Sequence, residues 1–245
     1  MVFLLPAHEE APRLPGVIAR VPRQVRGRAV VTLVVDDGSA DDTAAVARAA
    51  GAVVVSHPTN RGLGAAVRTG FAWAAEHGAV ALAFCDADGE YDPAELDRVI
   101  GPVLDGRAHY VVGSRFAGAI GHMRPHRRAG NRVLTAVTRW VARLPITDGQ
   151  SGYRALSAEA LAEARVEHDY NYAQVLTLHL AAAGFGYHEV PITYTFRTSG
   201  RSFVRLGRYL RRCTPAVARV VRRSWAGPVV SSPAGSAPPS TPRAA

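Results

Sequence analysis

Two rhythms of apolar and polar residues alternate through the first half of the chain. Short apolar runs at residues 2–5, 29–35, 52–56, 80–85 and 110–112 have the length of buried strands, and several are rich in valine. Between them, residues 43–50, 65–77 and 93–104 carry apolar positions at helical spacing. Asp42 and Asp92 stand where N-caps belong, and Pro93 fits the first turn of the third helix. Strands that alternate with helices predict an α/β fold: a doubly wound, mostly parallel sheet with helices on both faces. Ligands of such sheets sit beyond the carboxyl ends of the strands, and Asp36, Asp37, Asp86 and Asp88 all fall there.

The second half reads as helical from residue 126 to about 143, as a loop at 147–153, as helical again over 170–183, and as a strand at 187–194. Farther on, Phe203, Leu206, Leu210, Cys213, Val217 and Val220 recur every three or four positions, with Arg205, Arg208, Arg212 and Arg219 between them. That spacing predicts a basic amphipathic segment. Pro215 would break a single helix, so two short ones are expected, the second capped by Thr214. After Trp225 the chain is rich in Pro, Ser and Ala, a composition that predicts disorder. No internal repeat is evident.

With 245 residues and 48% hydrophobic content, the chain has material for one substantial core. No stretch reaches the roughly 18 apolar residues that a membrane-spanning helix requires, since Arg139 and Arg143 interrupt residues 133–146. The first residues pass directly into His8, Glu9 and Glu10 without the features of a signal peptide, so a cytoplasmic location is expected. Cys85 and Cys213 form neither a disulfide framework nor a metal-ligand spacing. The net charge of +9 is unevenly placed. Nineteen arginines face twenty acidic residues up to Glu189, and ten arginines with no acid follow it. The basic amphipathic segment therefore suits an anionic membrane surface, and peripheral contact with the inner face of the plasma membrane is expected.

Asp86 and Asp88 follow the strand at 80–85 at positions i and i+2, which lie on one side while the backbone stays extended, and Glu90 continues the alternation. Oxygen-only ligands suit a hard divalent cation, Mg²⁺ or Mn²⁺, bridging to substrate phosphates. Such an ion acts as a Lewis acid on a departing nucleotide diphosphate. A solvated acidic turn before Pro93 is the alternative. Asp36-Asp37-Gly38-Ser39 places a second acidic pair at a strand end, fit for ribose hydroxyls and a base edge, or for capping the next helix. Asn60-Arg61-Gly62-Leu63-Gly64 is a glycine-containing turn before a helix, similar to a phosphate loop but without its Lys-Ser/Thr.

In order along residues 2–203, these features resemble family 2 glycosyltransferases of the A-type nucleotide-sugar fold, in particular the dolichol-phosphate mannose synthase-like branch. The resemblance rests on Pro6-Ala7-His8-Glu9-Glu10, on Asp36 to Ser39, on Asn60 to Gly64 and on Asp86-Ala87-Asp88. It continues through Gly113-Ser114-Arg115, Asp148-Gly149-Gln150-Ser151-Gly152-Tyr153-Arg154 and Glu189-Val190-Pro191-Ile192. It implies that Pro6, His8, Glu10, Val35, Asp37 and Ala87 line the donor site, and that Asp86, Asp88 and Glu90 surround the metal. Arg115, Arg127 and Arg197 would bind phosphate. The domains expected are a catalytic unit at 1–202, the basic amphipathic helical segment at 203–225 and a disordered tail at 226–245. Two departures stand out: Phe203 replaces a lysine of the family, and Gln174 and Val175 occupy a helix where a carboxylate is common.

A sugar hydroxyl acceptor would need a base to take its proton, and Asp148 is the candidate for it. A phosphate monoester, with a second pKa of about 6, is already largely ionised at neutral pH and needs charge compensation instead. The arginines favour that acceptor, so the expected function is transfer of a hexose, with inversion, from a nucleotide diphosphate sugar of the GDP-mannose or UDP-glucose type to a polyprenyl phosphate. A soluble hydroxyl acceptor is the alternative. A non-catalytic nucleotide- or nucleic-acid-binding protein is more remote, because no aromatic stacking residues are interleaved with the arginines.

Overall fold

The computed structural model describes residues 1–121, 123, 125–167, 169 and 172–195. Arg197 and the segments expected at 203–225 and 226–245 lie outside them. Among the described residues no helix is long and apolar enough to cross a membrane.

The chain opens with β1 (Val2–Ala7), α1 (Leu14–Ala19), a hairpin of β2 (Gln24–Val25) and β3 (Arg28–Ala29), then β4 (Val31–Asp36) and α2 (Thr43–Ala49). It continues through β5 (Val53–Ser56), α3 (Leu63–Glu76), β6 (Ala81–Phe84), a 3-10 turn (Pro93–Glu95), α4 (Leu96–Leu104) and β7 (Tyr110–Ile120). The last described elements are α5 (Pro125–Ala142), β8 (Arg154–Ser157), α6 (Ala158–Glu163), α7 (Ala173–Ala182) and β9 (Tyr187–Tyr194).

One seven-stranded sheet has the order β5-β4-β1-β6-β8-β7-β9. The pairs β5-β4, β4-β1, β1-β6 and β7-β9 are parallel, whereas β8 runs against both β6 and β7. The expected mostly parallel, doubly wound α/β sheet is present. The inner strands β1 and β6 are buried throughout and apolar on both faces because each face is covered, whereas the edge strands β5 and β9 keep exposed positions. On one side Phe3, Leu5, Val34, Ala83 and Val111 pack with Leu14, Val17, Leu96 and Ile100 of α1 and α4. On the other, Leu4, Leu33, Phe84 and Tyr110 meet Val67, Phe71 and Leu176 of α3 and α7. Residues fully buried in this way contribute about 1.5–3 kcal/mol each through removal from water.

Several boundaries depart from the sequence expectation. The run at 29–35 is divided: residues 28–29 close a hairpin whose turn holds Arg26 and Gly27 at positive φ, and the sheet strand starts at Val31. The helix expected at 93–104 begins as a 3-10 turn capped by Asp92, whose Oδ1 accepts from Ala94 N at 2.9 Å. Asp42 occupies the N-cap position of α2 without a side-chain cap bond, and Asp41 instead accepts from Thr43 N at 3.0 Å. The strand at β7 runs past the expected 110–112, with a register irregularity between Ser114 and Ala119. α1, β8 and α6 were not anticipated. β8 has no alternation to detect, since all four of its residues are buried and it begins with an arginine.

The reversal of β8 positions the site. In the parallel strands the carboxyl ends form the ligand rim, but at β8 it is the beginning that lies there, with Arg154 opposite Phe84. The preceding loop, residues 148–153, is thereby brought beside Asp86.

Candidate active site

The rim divides into three groups of side chains. The first surrounds the ends of β1 and β4. Asp37 is 3% exposed, and its backbone N donates to Ala7 O at 2.8 Å. Its Oδ1 accepts from Arg61 N at 2.9 Å and faces His57 Nδ1 at 2.6 Å, and its Oδ2 accepts from Gly62 N at 2.7 Å. Asp36 Oδ1 accepts from Ser39 N at 3.1 Å, so each carboxylate of the pair organises a turn. Gly38 between them sits at φ +67°, and an added Cβ would lie 2.3 Å from Thr59 C; a side chain there would meet backbone. The turn at 60–64 is therefore not an anion cradle. Arg61 N and Gly62 N point to Asp37, Gly64 N to Asp169 O and Ala65 N to Gly62 O.

Beside this group, Glu10 N donates to Thr43 Oγ1 at 3.0 Å, and Glu10 Oε2 pairs with Arg13 at 2.9 Å. Glu9 has φ 55° and is held by its N–H to Ser39 Oγ at 2.9 Å. His8 Nδ1 is buried without a hydrogen-bond partner, a cost that a bound polar group would relieve. Pro6 is buried. Val35 is 0% exposed, packs in the core with Leu4 and Val67 and is paired with β1 and β5, so it presents no accessible surface to a ligand. Ala87, 2% exposed and in the opposite core layer, is in the same position.

The second group follows β6. Asp86 and Asp88 are half-buried, and Asp88 Oδ1 accepts from Glu90 N at 3.0 Å. Glu90 is turned away: it is 8% exposed, and its Oε2 accepts from Tyr194 Oη at 2.7 Å. Burial, followed by that bond, raises the Tyr194 pKa above the ordinary phenol range, so Tyr194 stays a donor at neutral pH. Among the described residues no three His, Cys, Asp or Glu side chains are arranged to hold a metal ion. Asp86, Asp88 and Glu90 do not form a ready cage. Gly152 closes the space beside Asp86: an added Cβ would lie 2.7 Å from Asp86 Oδ2. Gly152 is fixed there by its N–H to Tyr91 Oη at 2.8 Å.

The third group joins β7 to the loop before β8. Arg115 and Asp148 form a buried, bidentate pair, with Nε to Oδ2 at 2.7 Å and Nη2 to Oδ1 at 2.9 Å. Asp148 also accepts from Arg115 N at 3.1 Å and Gln150 N at 3.2 Å, and is 0% exposed. Its lone pairs are taken by four donors, which removes the free acceptor that a general base requires. Burial opposes the charge on Arg115, but Tyr91 and Asp148 outweigh it and hold its pKa above the ordinary value. The guanidinium also lies 5.2 Å over the Tyr194 ring.

Arg154 has no sequence signal beyond its place at the end of the 148–154 motif, yet it organises this loop. It is 0% exposed, donates from Nε to Ser151 O at 2.8 Å and from Nη2 to Gly149 O at 3.2 Å, and reaches Ala173 O, Thr177 Oγ1 and Tyr110 Oη with Nη1. Glu189 likewise has no signal beyond its motif; its carboxylate accepts from Thr147 N and Asp148 N. Arg127 is half-buried near the start of α5. Gln174, where the family often has a carboxylate, donates to Thr138 Oγ1 at 3.1 Å and ties α7 to α5.

A mostly parallel sheet with acidic residues at its rim, flanked by helices on both faces, is the A-type nucleotide-sugar glycosyltransferase fold. Glucosyl-3-phosphoglycerate synthase from Mycobacterium tuberculosis, solved with phosphoglyceric acid, shares it: TM-score 0.73 at 23% identity, covering 90% of this chain and 79% of that one. Another form of that enzyme, solved with Mn²⁺, UDP and glucosyl-3-phosphoglycerate, gives a TM-score of 0.72 at 23% identity, with the same coverage. Within this class, the chain belongs to glycosyl transferase family 2, whose model matches residues 3–164. It is a glycosyltransferase. Polyprenol monophosphomannose synthase of Mycolicibacterium smegmatis is 34% identical over 82% of this chain and 79% of its own length. Undecaprenyl-phosphate mannosyltransferase of Micrococcus luteus is also 34% identical, over 82% of this chain and 86% of its own.

Proposed function

We propose that the chain transfers a hexose from a nucleotide diphosphate sugar, of the GDP-mannose or UDP-glucose type, to a polyprenyl phosphate, with inversion and with Mg²⁺ or Mn²⁺. The observation that carries this reading is the state of Asp148. With all its lone pairs given to donors, this carboxylate is a poor proton acceptor, and a phosphate nucleophile needs none. The names of the two mannosyltransferases support the same acceptor.

His8, Glu10 and Asp37 bind the nucleoside, and Pro6, Val35 and Ala87 are the buried backing that carries them. Asp86 and Asp88 fit a hard cation, because two half-exposed carboxylates at a strand end suffice when substrate phosphates and waters complete the coordination. Asp86 and Asp88 would hold that ion, and its positive charge would supply Lewis-acid stabilisation to a departing diphosphate. Glu90, engaged with Tyr194, orients the turn that presents Asp88. Arg115 has five N–H donors in its guanidinium and gives two to Asp148, so the pair still offers donors to an acceptor phosphate, alongside Arg127 and Arg197.

Membrane contact is part of the proposal. On its outer face α5 exposes Val133, Val137 and Trp140, the last 69% exposed, and Arg128 and Arg132 of the helix and Arg143 just after it are exposed as well. No acidic residue stands between Asp105 and Asp148. This face and the basic segment at 203–225 would hold the enzyme at the surface that carries its acceptor.

The test is radiolabelled transfer from a panel of GDP- and UDP-sugars to polyprenyl phosphate and, in parallel, to soluble hydroxyl acceptors. Transfer to the lipid is expected, abolished by chelation and reduced at least about a hundredfold in Asp88→Ala. Full activity of that variant in a chelator would remove the metal assignment, and transfer to hydroxyl acceptors alone would remove the lipid.

A further inference from the structure

His57 stands just beyond β5, 7% exposed, and was not singled out by the sequence. Its backbone N donates to Asp36 O at 2.8 Å, which sets it beside the acidic pair. Its ring bridges two elements: Nδ1 lies 2.6 Å from Asp37 Oδ1, and Nε2 lies 2.8 Å from Thr69 Oγ1 on α3. An ionised carboxylate only accepts, so Nδ1 carries a hydrogen, and in the neutral ring Nε2 then accepts from the Thr69 hydroxyl. Asp37 in turn receives Arg61 N and Gly62 N. A continuous line of hydrogen bonds therefore runs from α3 through His57 to the acidic turn and on to the turn at 60–62.

We propose that His57 is a positioning residue: through Asp37 it holds the two turns that wall the nucleoside site, with Thr69 fixing the tilt of its ring. This rests on the reading of Asp37 as a donor-site residue. His57 touches no substrate itself. Its contribution is to keep the Asp37 carboxylate in one rotamer within a buried setting, so that a nucleotide meets a preorganised wall rather than one it must order. A charge-assisted bond inside a buried network is strong, and its removal leaves the carboxylate short of a donor.

Three variants separate positioning from bulk packing. His57→Phe keeps a ring of similar size without the donor, His57→Asn keeps an N–H close to the Nδ1 position, and Thr69→Val removes the hydroxyl behind the ring. Two readouts are taken on the full chain: amide hydrogen exchange at Arg61 and Gly62, and calorimetric binding of UDP and of GDP in the presence of Mn²⁺. His57→Phe is expected to lose protection at both amides and to bind the preferred nucleotide about tenfold more weakly or worse. His57→Asn is expected to retain both properties within about threefold, and Thr69→Val to fall between. Should His57→Phe fail to fold, the Asn and Val variants carry the comparison. Unchanged protection and affinity in His57→Phe, whatever happens to its melting temperature, would overturn the proposal, as would equal losses in the Phe and Asn variants. A wild-type chain that protects the two amides yet binds neither nucleotide overturns the donor-site reading instead, and the exchange data then decide whether His57 positions the two turns.

Discussion

Arg115 and Arg127 carry the same guanidinium in different surroundings. Arg115 is buried against Asp148 in a two-point pair, so Arg115→Ala strands a carboxylate that is 0% exposed. Removing one partner of a buried pair costs about 3–5 kcal/mol, and that loss should appear directly in thermal or denaturant unfolding. Arg127 is half-buried on a helix, and Arg127→Ala should lower transfer to polyprenyl phosphate at least about tenfold while shifting stability by no more than about 0.5–1 kcal/mol. The check is a paired measurement of melting temperature and kcat/KM. Equal stability losses in the two variants would show that Arg127 is a packing residue. Arg115→Lys is the informative companion, because it keeps the charge and gives up the planar fork, so its deficit measures what the bidentate geometry contributes.

Among the elements, α5 is divided along its length. Thr135 and Thr138 are buried towards α7, where Gln174 bonds Thr138, and Val141 and Ala142 pack on Val175 and Leu178. The opposite face carries Val133, Val137 and Trp140, exposed by 64%, 46% and 69%. Because Trp140 is so exposed, Trp140→Ser should leave stability within about 0.5 kcal/mol. The same change, combined with Val133→Ser, should reduce co-sedimentation with anionic vesicles, as should neutralising Arg128, Arg132 and Arg143. Binding should weaken as salt rises, since attraction to lipid headgroups is screened over about 10 Å at 0.1 M ionic strength. Removing residues 211–245 isolates the part played by the basic tail. Vesicle binding indifferent both to that removal and to the α5 changes would refute a membrane-facing role for either segment.

At the scale of the whole molecule, aromatic hydroxyls fasten the sheet to the rim. Tyr91, Tyr110, Tyr153, Tyr172, Tyr187 and Tyr194 all have pKa values raised above that of a free phenol, with burial the largest cause in each. A raised folded-state pKa means that the native chain holds its protons longer than the unfolded chain. The resulting stability is complete below the unfolded tyrosine value of about 10 and is lost as pH climbs through the folded values. Alkaline titration should therefore show tyrosinate absorbance from these residues appearing together with loss of near-ultraviolet circular dichroism, rather than ahead of it. Tyrosinate formed at ordinary pKa in a still-folded chain would contradict the burial of these rings.

What the chain determined by itself is the part of the structure encoded by local period. The runs at 2–5 and 80–85 became β1 and β6 because parallel strands covered on both faces are apolar throughout, the run at 52–56 became the partly exposed edge strand β5, and the acidic residues that follow β4 and β6 fell on the rim as a consequence of chain direction. Other features had no local signal. β8 is four buried residues headed by an arginine, and its reversal, which brings the 148–153 loop to Asp86, is a property of the sheet and not of the segment. The partners of charged groups were equally invisible: Asp148 reads as a loop carboxylate fit for proton transfer until Arg115, 33 residues away, is seen to occupy it. The same holds for His57, whose meaning comes from Asp37 and Thr69, each on a different element. Periodicity records which face of an element is buried. Which polar group meets which depends on contacts between residues far apart in the chain, and only the assembled tertiary structure decides them.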